Sequence, residues 1–161
     1  MNADVTEIPV YRVKIEPEWI DFNGHVRDAY YGLAGSYAVD ALMDHLGLDA
    51  AYRKSTRCTL YTLETHMHFL HEVKDSDDLC IVTSILDVDK KRIHAGFCFI
   101  CTRLPDPAAT ADMMLLHVQQ GEKAASAPFP EAVAEKLAAA KLSAGARDAW
   151  GPLSRKIELK R

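Results

Sequence analysis

The sequence predicts an α+β domain in which an antiparallel β-sheet wraps around one long helix, with a further helix added after the sheet. Three observations carry this. One long stretch in the N-terminal half, residues 29–46, places apolar side chains at helical spacing. The extended stretches that follow it are joined by short polar turns, the mark of antiparallel neighbours. A second helical pattern returns only after residue 130. The long helix then has to bury its stripe against the sheet.

Each element follows from local chemistry. Residues 10–15 alternate Tyr11, Val13 and Ile15 against Arg12 and Lys14 and predict a strand, which Pro9 can open. Pro17-Glu18-Trp19-Ile20 leads into a turn at residues 21–25. Asp28 is placed to cap the helix at 29–46, and Gly47 to end it. The predicted stripe is Leu33, Ala34, Tyr37, Ala38, Ala41, Leu42 and His45; Ala34, Gly35, Ser36, Ala38 and Ala41 are small enough for a close neighbour. Residues 49–56 read as a short helix or loop. Extended stretches are predicted at 58–73, 79–86, 92–103 and 111–119, with a hairpin turn at 87–91. A Pro-bearing linker at 124–130 precedes an Ala-rich helix at 130–142, with Pro at its start. A polar tail with Trp150 follows. The open sheet edge predicts a homodimer or a dimer of dimers, since pairing across subunits removes an exposed edge.

Composition narrows the function. The 161 residues suit one domain, 48% are apolar and 26% charged, and no apolar run approaches a membrane span. The net charge of −4 argues against nucleic acid as a partner. Residues 1–7 lack a basic segment followed by an apolar one, so no signal peptide is expected and the protein is expected to be cytoplasmic, with no membrane partner. Cys58, Cys80, Cys98 and Cys101 are expected as buried thiols. Cys98 and Cys101 have CxxC spacing, but on a strand they point to opposite faces, which argues against a redox pair or shared metal.

The most informative residues are Asp21-Phe22-Asn23-Gly24-His25. They put an acid, an amide and an imidazole just before a helix that opens with unpaired backbone N–H groups. Asp21 can attack a carbonyl or activate water, His25 can orient it or protonate a leaving group, and Asn23 can donate to the carbonyl. Gly24 lets the backbone approach a substrate. The helix amides around residues 27–29 can stabilise an oxyanion. Glu64, His66 and His68 share one strand face, so Glu64 and His66 are candidates to line the same site. Lys90, Lys91, Arg92 and His94, or else Arg53, Lys54 and Arg57, form basic clusters suited to phosphates. A metal alternative rests on His66-x-His68-x-x-x-Glu72, the spacing of a cupin ligand set. Leu60 and Leu79 stand where that motif has glycines, and the long helix does not fit a jelly roll, so the preferred reading has no metal and no cofactor.

Asp21-x-Asn23-Gly24-His25-Val26 followed by Tyr30-Tyr31 resembles the signature of the hot-dog fold acyl thioesterases, and plant acyl carrier protein thioesterases carry a similar run before their central helix. Further segments are similar to the betainyl-CoA thioesterases of carnitine breakdown: Tyr61-Thr62-Leu63-Glu64-Thr65-His66, Asp89-Lys90-Lys91-Arg92-Ile93-His94 and Met113-Met114-Leu115-Leu116-His117-Val118. With the flanking strands they span residues 10–130. Val26-Arg27-Asp28 departs from relatives with Asn or Glu there, and Phe22 replaces a frequent Tyr. The resemblance implies a hot-dog thioesterase domain at 1–130, a C-terminal helix and tail at 131–161, and hydrolysis of a small acyl-CoA, betainyl-CoA to betaine and CoA. On this reading Asp21, Asn23, His25 and Glu64 are catalytic, and Trp19, Gly24, Asp28, Tyr31 and His66 bind substrate. Trp19, Tyr30, Tyr31 and Phe69 offer faces to a quaternary ammonium, with Asp28 as its anion. The Lys90–Arg92 turn and His94 hold CoA. An acyl-CoA-binding module without hydrolysis is the alternative within this fold.

Overall fold

The computed structural model describes Ile8 and residues 10–148; residues 1–7, Pro9 and Trp150, on which expectations were placed, lie outside the described residues. The elements run β1 (Tyr11–Val13), a 3₁₀ turn (Pro17–Trp19), α1 (Asp28–Leu46), α2 (Ala50–Thr56), β2 (Cys58–Phe69), β3 (Leu79–Val88), β4 (Arg92–Cys101), β5 (Ala109–Gln119), β6 (Ala125–Ser126), α3 (Glu131–Ala140) and α4 (Ala144–Asp148). The strands form one sheet in the order β1-β3-β4-β5-β2, with β6 against β5. Every strand pair is antiparallel. No helix among the described residues is long and apolar enough to cross a membrane.

Alternation along the strands divides the sheet. Ile81, Ile85, Ile93, Ala95, Phe97, Phe99, Met113 and Leu115 are buried on the inner face beneath α1. Cys80, Val82, His94, Cys98 and Met114 sit half-buried on the outer one. Cys101 is buried inside and Cys98 lies outside, as their spacing requires. Cys58 is buried too, whereas Cys80 and Cys98 are only partly covered, and all four are free thiols. Burial pushes the Cys98 thiol up from its ordinary value.

The helix stripe is rotated from expectation. α1 buries Tyr31, Ala34, Gly35, Ala38, Val39, Leu42, Met43 and Leu46, while Leu33 and Tyr37 are exposed. Both faces are apolar at helical spacing, and the sheet takes the one with Ala34, Gly35 and Ala38 because small residues let the backbones approach. A Cβ on Gly35 would lie 2.9 Å from Met113 Cε. The cap also differs. Arg27 is the N-cap, without a side-chain hydrogen bond, and Asp28 is the first helical residue, its Oδ1 accepting the Ala29 N–H at 2.9 Å.

The segment after β2 decides where the site forms. It was expected to stay extended to residue 73, but β2 ends at Phe69. The Leu70 and His71 N–H groups both donate to the Ala108 carbonyl at 2.9 Å. The chain then crosses to the turn before α1: Val26 N–H donates to the Val73 carbonyl at 2.8 Å, and His25 and Lys74 form a β-bridge. Val73 is fully buried there. α3 contributes Val133 and Leu137 to the same core as the sheet, and Leu142 N–H donates to the Ile85 carbonyl at 2.9 Å.

Candidate active site

The 21–25 turn is closed by its own backbone. Asp21 N–H donates to the His25 carbonyl at 2.8 Å, and Gly24 N–H to the Asp21 carbonyl at 3.0 Å. Asp21 Oδ1 accepts from Asn23 N–H at 2.8 Å and His25 N–H at 3.1 Å. Gly24 has φ +80°, which a side chain would strain. These backbone donors, that of His25 first, hold the Asp21 carboxyl below the usual carboxylate range. Trp19 is buried and stacks on Tyr30 with centroids 5.0 Å apart and an 8° interplanar angle. Its carbonyl accepts from Arg27 N–H at 2.9 Å, so both arms of the turn are fixed.

Beside the start of α1 lies a cavity of about 270 Å³ whose lining includes His25, Asp28, Tyr31, Phe69, His71 and Glu72. His25 Nε2 is 3.1 Å from Glu72 Oε2. Tyr31 meets Phe69 edge-on at 5.3 Å, and burial raises the Tyr31 phenol from its ordinary value, so it stays protonated. Of the amides expected to receive an oxyanion, Arg27 N–H is taken by Trp19 and Ala29 N–H by the Asp28 side chain. Asp28 N–H is the one left without an acceptor among the described residues.

The structure brings His25, Asp28 and Tyr31 together as expected of one site, and adds Phe69 and Glu72. Asp21, Asn23 and Gly24 build the turn but do not line the cavity. Trp19 packs in the core instead of facing substrate, because its ring is covered by Tyr30.

Glu64 and His66 are placed elsewhere, beside His94, and for these two the expectation of one shared site is corrected. A register shift between Thr62 and Glu64 pairs Glu64 with Met114 and His66 with Asp112, so these side chains project from the outer face, across the sheet from α1. There Glu64 Oε1 lies 3.0 Å from His66 Nε2, while Asp112 Oδ2 lies 3.8 Å from His66 Nδ1 and 2.8 Å from His94 Nε2. They border a separate cavity of about 140 Å³. The basic hairpin is also less available than its composition implies. Arg92 is bound to Asp89 through Nη2 at 2.6 Å and Nε at 2.8 Å, and Lys91 Nζ donates to Ser126 Oγ at 3.0 Å. Lys90 remains exposed. The cupin alternative is not assembled, since Glu72 turns to His25 while His66 sits on the outer face. Among the described residues no group of three such side chains is placed to hold a metal.

Sequence reasoning missed Asp112 and placed Glu72 only in the metal alternative, not beside His25. Asp112 left a signal: a lone acid inside an apolar strand run needs a buried partner. Glu72 left none, because its role depends on the strand ending three residues earlier.

Comparisons with known proteins agree with this architecture. Residues 15–137 match the model of the thioesterase-like superfamily. A betainyl-CoA thioesterase of Pseudomonas aeruginosa is 41% identical over 133 residues, 82% of each chain. An L-carnitine dehydrogenase/betainyl-CoA thioesterase of Agrobacterium fabrum is 37% identical over 109 residues, 68% of this chain but 22% of that larger protein. Among solved structures, a hypothetical protein of Staphylococcus aureus in complex with CoA superimposes with a TM-score of 0.84 at 26% identity, covering 99% of this chain and 100% of that one. A putative thioesterase of Pseudomonas putida does so with 0.75 at 36% identity, covering 94% and 96%. An antiparallel sheet curled around α1, a histidine-bearing cavity at the start of that helix, and a family match over most of the length identify the chain as a thioester hydrolase of the thioesterase-like superfamily, with the hot-dog fold.

Proposed function

We propose that the chain hydrolyses betainyl-CoA to betaine and CoA. The observation that carries this is the makeup of the cavity at α1: Tyr31 and Phe69 offer aromatic surface, and Asp28 and Glu72 offer negative charge, around the mouth of a space beside His25. A quaternary ammonium is attracted by both, whereas a neutral acyl group gains from the rings alone. The acyl group of the 41% identical relative supports the same reading.

The geometry favours His25 over Asp21 as the group that activates water. His25 borders the cavity, and two N–H donors make Asp21 a weaker base. With the Glu72 carboxylate 3.1 Å from Nε2, the proton is favoured on Nε2 and the lone pair stays on Nδ1. Nδ1 takes a proton from water as the water oxygen bonds to the thioester carbon. The oxyanion formed is met by Asp28 N–H at the positive end of the helix dipole. Collapse breaks the C–S bond, and the CoA thiolate takes the proton back from His25. Asn23 and Asp21 hold the turn that presents the imidazole.

CoA is held across a homodimer. The Lys90–Lys91 turn lies at the far end of the strands: the seven residue steps from Arg92 to Phe99 in β4 amount to about 23 Å. Among the described residues β2 is an unpaired edge, flanked by exposed Leu33, Tyr37, Leu63, Phe69 and Leu70. Antiparallel pairing of two β2 strands sets the far end of one sheet beside the cavity end of the other, which supports Lys90 and Lys91 as phosphate ligands in trans.

The test is thiol release from betainyl-CoA against 3,3-dimethylbutyryl-CoA, which has the same shape and no charge, alongside acetyl-, medium-chain, aromatic and hydroxyacyl-CoA. A kcat/KM for betainyl-CoA at least about tenfold above the neutral isostere is expected, from about 1.4 kcal/mol of cationic preference. Equal rates on the two would remove the betaine pocket. Tight CoA binding with no thiol release from any member would favour the non-hydrolytic module.

A further inference from the structure

We propose that Arg103 is a positioning residue of the active site, which clamps the 70–77 loop so that Glu72 meets His25. The proposal rests on the reading of His25 as the catalytic base.

Arg103 lies just beyond β4. Its Nε donates to Asp77 Oδ1 at 2.7 Å and its Nη2 to Asp77 Oδ2 at 2.7 Å. The same Nη2 donates to the Glu72 carbonyl at 2.9 Å. One planar guanidinium thus ties the start of the loop to its end, a geometry that the point charge of a lysine cannot reproduce. The Asp77 side chain is 4% exposed, and its Oδ2 also accepts Lys74 N–H at 2.8 Å. Neighbouring Thr102 donates to Asp78 through both its N–H and its hydroxyl. The end of β4 therefore grips the loop at Glu72, Asp77 and Asp78. Arg103 holds Asp77 well below the usual carboxylate range, at about 2.

The clamp matters because, among the described residues, no other side chain holds Glu72. Its side chain is 72% exposed and its one ion pair among them is to His25. An exposed pair is weak, and its geometry is set by where the backbones stand. Val73 anchors the loop next to Glu72, and Arg103 holds the Glu72 peptide itself. The other charged or titratable groups around His25 are Asp21 on its own turn, Arg27 and Asp28 at α1, Tyr31 on α1, and His71 and Lys74 on the loop. None of these is paired with the imidazole among the described residues, so the Glu72 carboxylate, 3.1 Å from Nε2, is the charge that favours the proton on that nitrogen.

The test compares Arg103→Met, Arg103→Lys, Glu72→Ala and Arg103→Met/Glu72→Ala. Steady-state thioester hydrolysis is measured with betainyl-CoA, or with the best member of the acyl-CoA panel. The long-range ¹H–¹⁵N spectrum of the His25 ring, which reports which nitrogen carries the proton, is recorded at fixed pH, and melting temperature reports stability separately. Arg103→Met is expected to lower kcat about 5–20-fold with KM changed less than about twofold, and to shift the His25 ring signals in the same sense as Glu72→Ala. On the Glu72→Ala background it should add less than about twofold. A lowered melting temperature with unchanged ring signals and unchanged kcat would overturn the proposal and leave Arg103 a loop stabiliser; Arg103→Lys is read by the same criteria if Arg103→Met does not fold. His25→Gln separates the two claims. If it remains fully active while Arg103→Met still shifts the ring signals, the catalytic reading of His25 falls and the clamp stands. If it is inactive and Arg103→Met leaves the ring untouched, the clamp falls and the catalytic reading stands.

Discussion

Asp21 and His25 sit on one turn and answer to different demands. The Asp21 carboxylate is engaged by two amides of its own turn, while the His25 imidazole reaches Glu72 at the cavity wall. Asp21→Asn keeps an Oδ1 acceptor for those amides and removes only the charge. It should fold normally and lose less than about tenfold in kcat, whereas His25→Gln should lose about 10²–10⁴-fold, the range of a missing acid–base group. Thiol release by both variants, with circular dichroism as the folding check, decides the matter, and a dead Asp21→Asn would make Asp21 the nucleophile or base. The turn was legible because all of its chemistry is local: five residues, a glycine at positive φ and a following helix. The partners were not. Glu72 meets His25 only because the chain leaves β2 at Phe69 and crosses to Val26. Asp112 meets His66 and His94 only through strand register. Neither spacing is written in a short motif.

At the scale of elements, the strands and the central helix could be read from periodicity, since alternation and helical spacing are direct images of burial; the order within the sheet could not, because β2 pairs with β5 and not with β3, its neighbour in the chain. The rotation of α1 could not, because two of its faces are apolar and only contact with the sheet chooses between them. Gly35 marks the chosen face. A Cβ there would lie 2.9 Å from Met113 Cε and 3.7 Å from Phe99 Cζ. The methyl end of Met113 is flexible, so Gly35→Ala should be near neutral, its helix-propensity gain offsetting a small shift. Gly35→Leu has no room and should destabilise by about 1–3 kcal/mol, read from urea unfolding. Gly35→Leu/Met113→Ala should recover part of that loss. If the single leucine variant is as stable as the wild type, α1 does not pack on the sheet through this face.

For the whole molecule, the sheet of the described residues ends at β2. β2 carries a long open edge, with exposed Leu63 at its register shift and exposed Phe69 at its end, and Leu33 and Tyr37 stand exposed on α1. Unpaired strand edges with apolar flanks invite pairing, and the basic 90–91 turn and the cavity lie at opposite ends of one sheet. The proposed two-fold pair of chains joined through β2 would account for both features. Analytical ultracentrifugation should therefore give a mass of two 17.9 kDa chains. Leu63→Lys combined with Tyr37→Lys puts charge of one sign on the proposed seam in both copies, so that the two copies repel there. The variant should sediment as a monomer, keep its fold by circular dichroism, and raise KM for acyl-CoA at least about tenfold as the phosphate contacts from the second copy are lost. Lys90→Ala/Lys91→Ala should raise KM in the dimer with little change in kcat, and should add nothing in the monomeric variant, because the lysines act only across the seam. A monomeric variant that keeps its wild-type KM would place the CoA grip within a single chain and leave the pairing of β2 without a catalytic purpose.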